Sequence, residues 1–212
     1  MRLLKGMELI TMTLLNILSL LLFMSFLICY MTKLVIMNKK AGIKALVLAK
    51  GKKGESIDSS EKLVQITTFL WGVVWLFESI FSYWIANFLP SLFSNNFINY
   101  FGLLIILIGL VFFVSSMITM KNSWRVGIDK NTKTELITNG LYRYSRNPAF
   151  VGFNLMFMGL FITFPNMLSL LICIMNILSI HNLILQEEKH LESMLKDEYL
   201  IYRNTTPRYL FF

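Results

Sequence analysis

Three stretches of this chain contain no Asp, Glu, Lys or Arg: Leu9–Thr32, Ser79–Met120 and Asn147–Gln186. Each is long enough for at least one membrane-crossing helix, which takes about 20 apolar residues. The chain is 56% hydrophobic and only 15% charged, far less charged than a soluble domain of this length. These runs predict an all-α integral membrane protein with about five transmembrane helices. Cys29 and Cys173 lie inside apolar runs, without metal-ligand or disulfide spacing, and read as small hydrophobes. The net charge of +8 sits beside membrane spans. It is therefore a topology signal and excludes nucleic acid as a partner.

In chain order, Leu9–Met31 is the first expected span. It is too long for a signal peptide, and no small-x-small cleavage site follows it. A polar loop with eight lysines runs from Lys33 to Lys62. Its first half, Met37–Lys50, is expected as a short interfacial helix, and its second half, around GKKGESIDSSEK, as flexible. Leu63–Leu89 and Phe97–Met120 are the next spans. Lys121–Asn147 is a polar connector. Ala149–Phe164 and Asn166–Gln186 form a helical hairpin broken at Pro165, whose first arm is short for a crossing. The tail continues as an amphipathic helix with Leu191, Met194, Leu195, Tyr199 and Tyr202 at helical spacing, and ends in a docking segment, Pro207 to Phe212. Residues 1–120 thus hold three spans and a basic loop (33–62), and residues 121–212 the connector, hairpin and tail. Five spans put eighteen of the twenty Lys and Arg residues on the side of the connector and tail. Cytoplasmic loops carry the cationic excess, so the C-terminus is expected in the cytoplasm and the N-terminus outside.

The segment TELITNGLYRYSRNPAFVG, Thr134 to Gly152, is the most informative polar stretch. Asn147-Pro148 reads as a turn followed by a helix start, which puts Arg143, Arg146 and Asn147 at the mouth of a membrane helix. Free N–H groups and the positive dipole end there favour an anionic group. Two arginines, an amide and two tyrosines suit a polar small molecule, and equally an interfacial anchor. Glu187 and Glu188 lie at the far end of the hairpin, and a tight hairpin returns Glu187 to Arg143 and Arg146. Such a set can hold a zwitterion by charge-assisted hydrogen bonds, or can be a structural ion pair. Glu78, midway along the second span, reads as a hydrogen-bonded glutamate inside the bundle. His181 reads as a core histidine, His190 as a solvated position, and Trp71 and Trp75 as packing residues. No metal site is readable, and there is no nucleotide-binding glycine motif.

Taken together, Leu136-x-x-x-Gly140-x-Tyr142-x-x-x-Arg146-Asn147-Pro148, the apolar hairpin, Glu187-Glu188-x-x-Leu191, Glu198-Tyr199-x-x-Tyr202 and Pro207-Arg208 resemble the isoprenylcysteine carboxyl methyltransferases. That family is related to the membrane phospholipid methyltransferases. The resemblance covers the chain from about Trp124 onward. It implies S-adenosyl-L-methionine as methyl donor in a cytoplasmic C-terminal helical cofactor site. By position that site takes Thr134, Glu135, Leu136, Ile137, Tyr142, Asn147, Pro148, Ala149, Phe150 and Glu187. Arg143, Arg146 and Glu188 are left as candidates for substrate contact or charge pairing. Two positions depart from the family. Asn147-Pro148-Ala149-Phe150 stands for His-Pro-x-Tyr. Leu183 stands where carboxyl-methylating members have the arginine that meets the substrate carboxylate, which counts against prenylcysteine as substrate.

The leading expectation is methyl transfer to a lipophilic acceptor: a small molecule, a lipid or a lipidated peptide. No catalytic base is assigned, because displacement at a methyl group depends mostly on positioning. The rival classes are a sterol-reductase-like membrane reductase using NADPH, and a non-enzymatic protein whose basic face binds anionic membrane lipids. The reductases usually carry an acidic residue where Phe153 follows Gly152.

Overall fold

The computed structural model describes residues 2–130 and 135–210, with side chains from Leu14 onward. Six α-helices follow in order: α1 (Arg2–Ala41), α2 (Glu55–Ile85), α3 (Asn96–Thr119), α4 (Pro148–Thr163), α5 (Met167–Leu195) and α6 (Asp197–Thr205). Four of these, α1, α2, α3 and α5, are long and apolar enough to cross a membrane. The α4 helix has 16 residues, about 24 Å of rise against about 30 Å of hydrocarbon. The ends of the bundle differ. One carries residues 42–54, 120–130, 135–147 and 196–210, with both 3-10 turns, Lys121–Ser123 and Gly140–Arg143. The other carries only residues 86–95 and the hairpin turn 164–166.

Helix α4 packs most closely on α3, and glycine is the reason. A Cβ on Gly102 would stand 2.8 Å from the Gly159 carbonyl oxygen, and one on Gly109 2.6 Å from that of Gly152. The four glycines repeat at i and i+7 on each helix, so the two backbones touch along a shared face. The hairpin tip is held by a capping box. Asn166 Oδ1 accepts from Leu168 N and Ser169 N, each at 3.0 Å, and Ser169 Oγ accepts from Asn166 N at 3.2 Å. The Asn166 amide also donates to Glu78 Oε1 at 2.6 Å. Glu78 is thus a buried, hydrogen-bonded residue near the hairpin turn. It is not midway along the span, because α2 begins eight residues before the expected Leu63.

The first loop differs most from the sequence expectation. No interfacial helix forms over Met37–Lys50. Helix α1 runs on to Ala41, where Gly42 at φ +64° ends it in the left-handed conformation that glycine tolerates. The chain then extends beside the connector: Val47 N donates to Val126 O (3.0 Å) and Val126 N to Ala45 O (2.9 Å). The stretch expected to be flexible is clamped. Glu61, fully buried, accepts from Lys53 Nζ (2.7 Å), Ala49 N (2.9 Å) and Ile128 N (2.7 Å). A buried carboxylate needs this many donors to offset its lost hydration. The acidic first turn of α2, Glu55 and Asp58, suits a helix N-terminus, which explains why the helix starts so early.

Candidate functional site

The hairpin brings its two ends together, and the adjacent glutamates separate into different environments. Glu188 is buried and fully engaged. Arg146 reaches it through Nε (3.2 Å) and Nη2 (3.1 Å), Arg208 through Nε (3.1 Å) and Nη2 (3.0 Å), and Asn147 through Nδ2 (2.9 Å). The same arginine ties down the tail, donating from Nη1 to the Thr206 carbonyl at 2.6 Å, while Arg146 N donates to Pro207 O at 2.9 Å. Ser145 Oγ donates to Arg208 O at 3.1 Å. This network fastens the start of α4, the C-terminal third of α5 and the tail to one another. Asn147 is the N-cap of α4 without capping it through its side chain, since the amide is turned to Glu188. The ion pair expected of Glu187 is therefore made by Glu188.

Glu187, one residue earlier on the helix, faces a cavity of about 610 Å³ and makes no hydrogen bond among the described residues. Its neighbours on the wall are Tyr142, Asn147 and Arg146, with Leu136 and Ile137 from the connector, Ala149 and Phe150 from the first turn of α4, and Glu135. Nine of the residues singled out from the sequence thus line one space. Three do not: Pro148 and Glu188 are buried behind the wall, and Arg143 is exposed. Thr134 lies outside the described residues.

The polar wall is completed by residues that sequence reasoning left out or placed elsewhere. Tyr199 and Tyr202 of α6 line the cavity. Tyr202 Oη donates to Tyr142 O at 2.6 Å, which fixes the turn bearing Tyr142. Tyr199 is buried, beside the Arg146 guanidinium, and its Oη is not fully bonded among the described residues. Burial, followed by the negative charge of Glu188, pushes its phenol up to about 12. Burial, then the Glu187 and Tyr202 charges, likewise raises Tyr142. Both phenols therefore stay protonated at neutral pH. His190, expected to be solvated, lines the cavity with Nε2 3.3 Å from the Asp129 carbonyl oxygen. Its position one turn beyond Glu187 carried the signal.

The remaining lining is apolar. Leu183 and Ile180 stand one and two turns below Glu187 on α5, so the cavity runs about 10 Å down that helix. Phe113 and Phe153 close it from α3 and α4, and Phe26 and Trp71 from α1 and α2. Trp71 and Phe153 are part of a continuous set of ring contacts, with Trp71 5.7 Å from Phe26 and 4.9 Å from Phe157. The outer wall is Trp124 to Asp129, which Glu61 anchors from behind. Gly127 has φ +92°, and a Cβ there would stand 2.7 Å from Leu48 Cα and 2.8 Å from Glu61 Oε1.

Fold and site together define a helical membrane protein whose main cavity joins a polar mouth, built by connector and tail, to an aromatic interior. Residues 97–198, just under half of the chain, match the family model of the phospholipid methyltransferases, a family of integral membrane methyltransferases. The matched part contains α3, α4 and α5, including Tyr142, Asn147 and Glu187. It leaves out α1, all of α2 and the Lys53–Glu61 clamp. Comparison with curated proteins returns no match.

Proposed function

We propose that this protein transfers a methyl group from S-adenosylmethionine to a lipid acceptor at the cytoplasmic face of the membrane. The observation that carries the reading is Glu187, which makes no hydrogen bond among the described residues and stands on the wall of a cavity lined also by Tyr142, Tyr199 and Tyr202. A buried polar group without a partner costs free energy unless a ligand completes it, and the sulfonium and ammonium of this cofactor are the cationic groups such a carboxylate suits. When bound, the cofactor supplies an electrophilic methyl group.

The rest of the site falls to the chain's own residues. Glu187 would hold the cationic part. The N–H groups of Ala149 and Phe150, in the first turn of α4, are free to receive an anionic part. Leu136, Ile137 and Leu191 supply apolar wall, and the protonated phenol of Tyr142 can donate. Burying the reacting centre under the connector and tail excludes water, and fixed placement of donor and acceptor supplies most of the rate. Leu183 is buried on the cavity wall where a carboxylate acceptor would need a cation. This supports an acceptor without a carboxylate and agrees with the phospholipid methyltransferase match. The end of the bundle that bears the cavity also carries the cationic loops, which supports a cytoplasmic orientation.

The test is direct. In nanodiscs, S-adenosylmethionine or its demethylated product is expected to raise the unfolding temperature, because a ligand bound only by the folded state stabilises it. Label from the methyl group is expected in the lipid-extractable fraction. Stabilisation by NADPH alone would replace this reading with the reductase one.

A further inference from the structure

The apolar end of the cavity is built largely outside the part of the chain that matches the family model, and it reaches the lipid-facing surface. Met31 on α1 and Phe69 on α2 both line it, and they are 54% and 70% exposed. Thr68, Gly72 and Leu76 also line it; spaced by four, they form one stripe of α2. Gly72 is eleven residues beyond Glu61, about 16 Å along the helix, so this mouth lies at mid-depth of a hydrocarbon layer about 30 Å thick.

Gly72 is unlike the glycines that pack α3 on α4. A Cβ built at Gly72 meets nothing within 4 Å, so no close backbone approach requires the missing side chain. In a helix interior glycine is less favourable than alanine. What its absence gains here is open space between α1 and α2.

We propose that Gly72 is a specificity-determining residue: it keeps open a lateral slot through which one acyl chain of a bilayer lipid enters the cavity. The occupant follows from position. A slot at this depth opens only onto lipid tails, and Thr68, Phe69, Gly72, Val73 and Leu76 offer no charged group to anything else. The placement of the lipid head at Glu187 rests on the methyl-transfer reading, while the slot itself does not.

Tryptophan fluorescence tests this. The chain has four tryptophans. Trp84 is 67% exposed, whereas Trp71, Trp75 and Trp124 are buried, so Trp84→Phe removes the one that bulk lipid reaches freely. The probe is a nanodisc of phosphatidylethanolamine brominated along its acyl chains. In the Trp84→Phe protein, quenching is expected, and adding Trp71→Phe is expected to remove most of it. Gly72→Leu in the Trp84→Phe background is expected to abolish most of the quenching, and Gly72→Ala part of it. Because neither side chain meets a clash at its Cβ and glycine is the poorer helix former, both variants are expected to unfold at or above the parent temperature. Absence of quenching in the Trp84→Phe protein, or equal quenching in the three, overturns the slot. Stabilisation by S-adenosylmethionine is read on the same samples. Slot-dependent quenching without that stabilisation keeps the slot and rejects methyl transfer. Stabilisation with quenching indifferent to Gly72 rejects the slot alone.

Discussion

Glu61 and Glu188 are both buried carboxylates holding distant segments around one cavity, and they are built differently. Glu61 takes one ammonium and two backbone N–H groups, and both members of its ion pair are sealed, with side chains 7% and 0% exposed for Lys53 and Glu61. Glu188 takes two guanidiniums, one of which, Arg208, is 31% exposed. The first clamp joins the part outside the family match to the connector. The second joins the two ends of the hairpin to the tail. Sealed charges have no water to turn to when a partner is lost, whereas Arg208 does. Glu187 has neither arrangement: it lines the cavity and makes no hydrogen bond among the described residues.

The largest effect is therefore expected at the sealed clamp. Glu61→Leu strands the Lys53 ammonium and the Ile128 N–H, and is expected to cost about 3–5 kcal/mol, read as a fall in unfolding temperature in detergent. Adding Lys53→Met removes the stranded charge and is expected to restore much of the loss. A single variant that unfolds with the parent would erase the distinction between the clamps.

At the second clamp, Arg208→Ala is expected to cost only about 1 kcal/mol, because a partly exposed pair is screened. Arg146→Ala, which removes the bidentate bond and the anchor of the tail, is expected to approach the Glu61→Leu loss. Equal losses for the two arginines would show that exposure does not set the difference. Glu187→Gln is the reverse case. It is expected to leave stability within about 0.5 kcal/mol and to weaken cofactor binding by the worth of one charge-assisted hydrogen bond, about 10- to 150-fold. Titration of the folded protein reads both. Loss of stability without loss of affinity would make Glu187 a third structural carboxylate.

The smallest effects concern the buried Tyr199 hydroxyl and the histidine. The Tyr199 phenol titrates at about 12 when folded and at about 10 when unfolded. Its contribution is whole below pH about 10 and is lost as pH rises toward 12, because only the unfolded chain gives up the proton in that window. Tyr199→Phe is expected to flatten that part of the stability–pH curve and to change little at neutral pH. His190→Ala is expected to weaken cofactor binding by less than about 1.5 kcal/mol, the upper worth of one neutral hydrogen bond.

What the sequence determined by itself follows from periodicity and exclusion. Uncharged runs of that length have one stable environment, so the membrane class, the hairpin at Pro165 and the cationic end of the bundle were all legible. The convergence of Tyr142, Asn147 and Glu187 was legible too, because a hairpin must return to where it began. The glycines at Gly102, Gly109, Gly152 and Gly159 carried a readable signal for close α3–α4 packing that the span pattern alone does not use. Only the tertiary structure decided which of two adjacent glutamates is free. A step of one residue turns a helical side chain by about 100°, and nothing local says which direction holds Arg146 and Arg208. The Lys53–Glu61 clamp was invisible for the same reason. A lysine-rich tract reads as solvated until a connector some 70 residues away in sequence brings Ile128 N to within 2.7 Å of Glu61 and makes burial of that charge affordable.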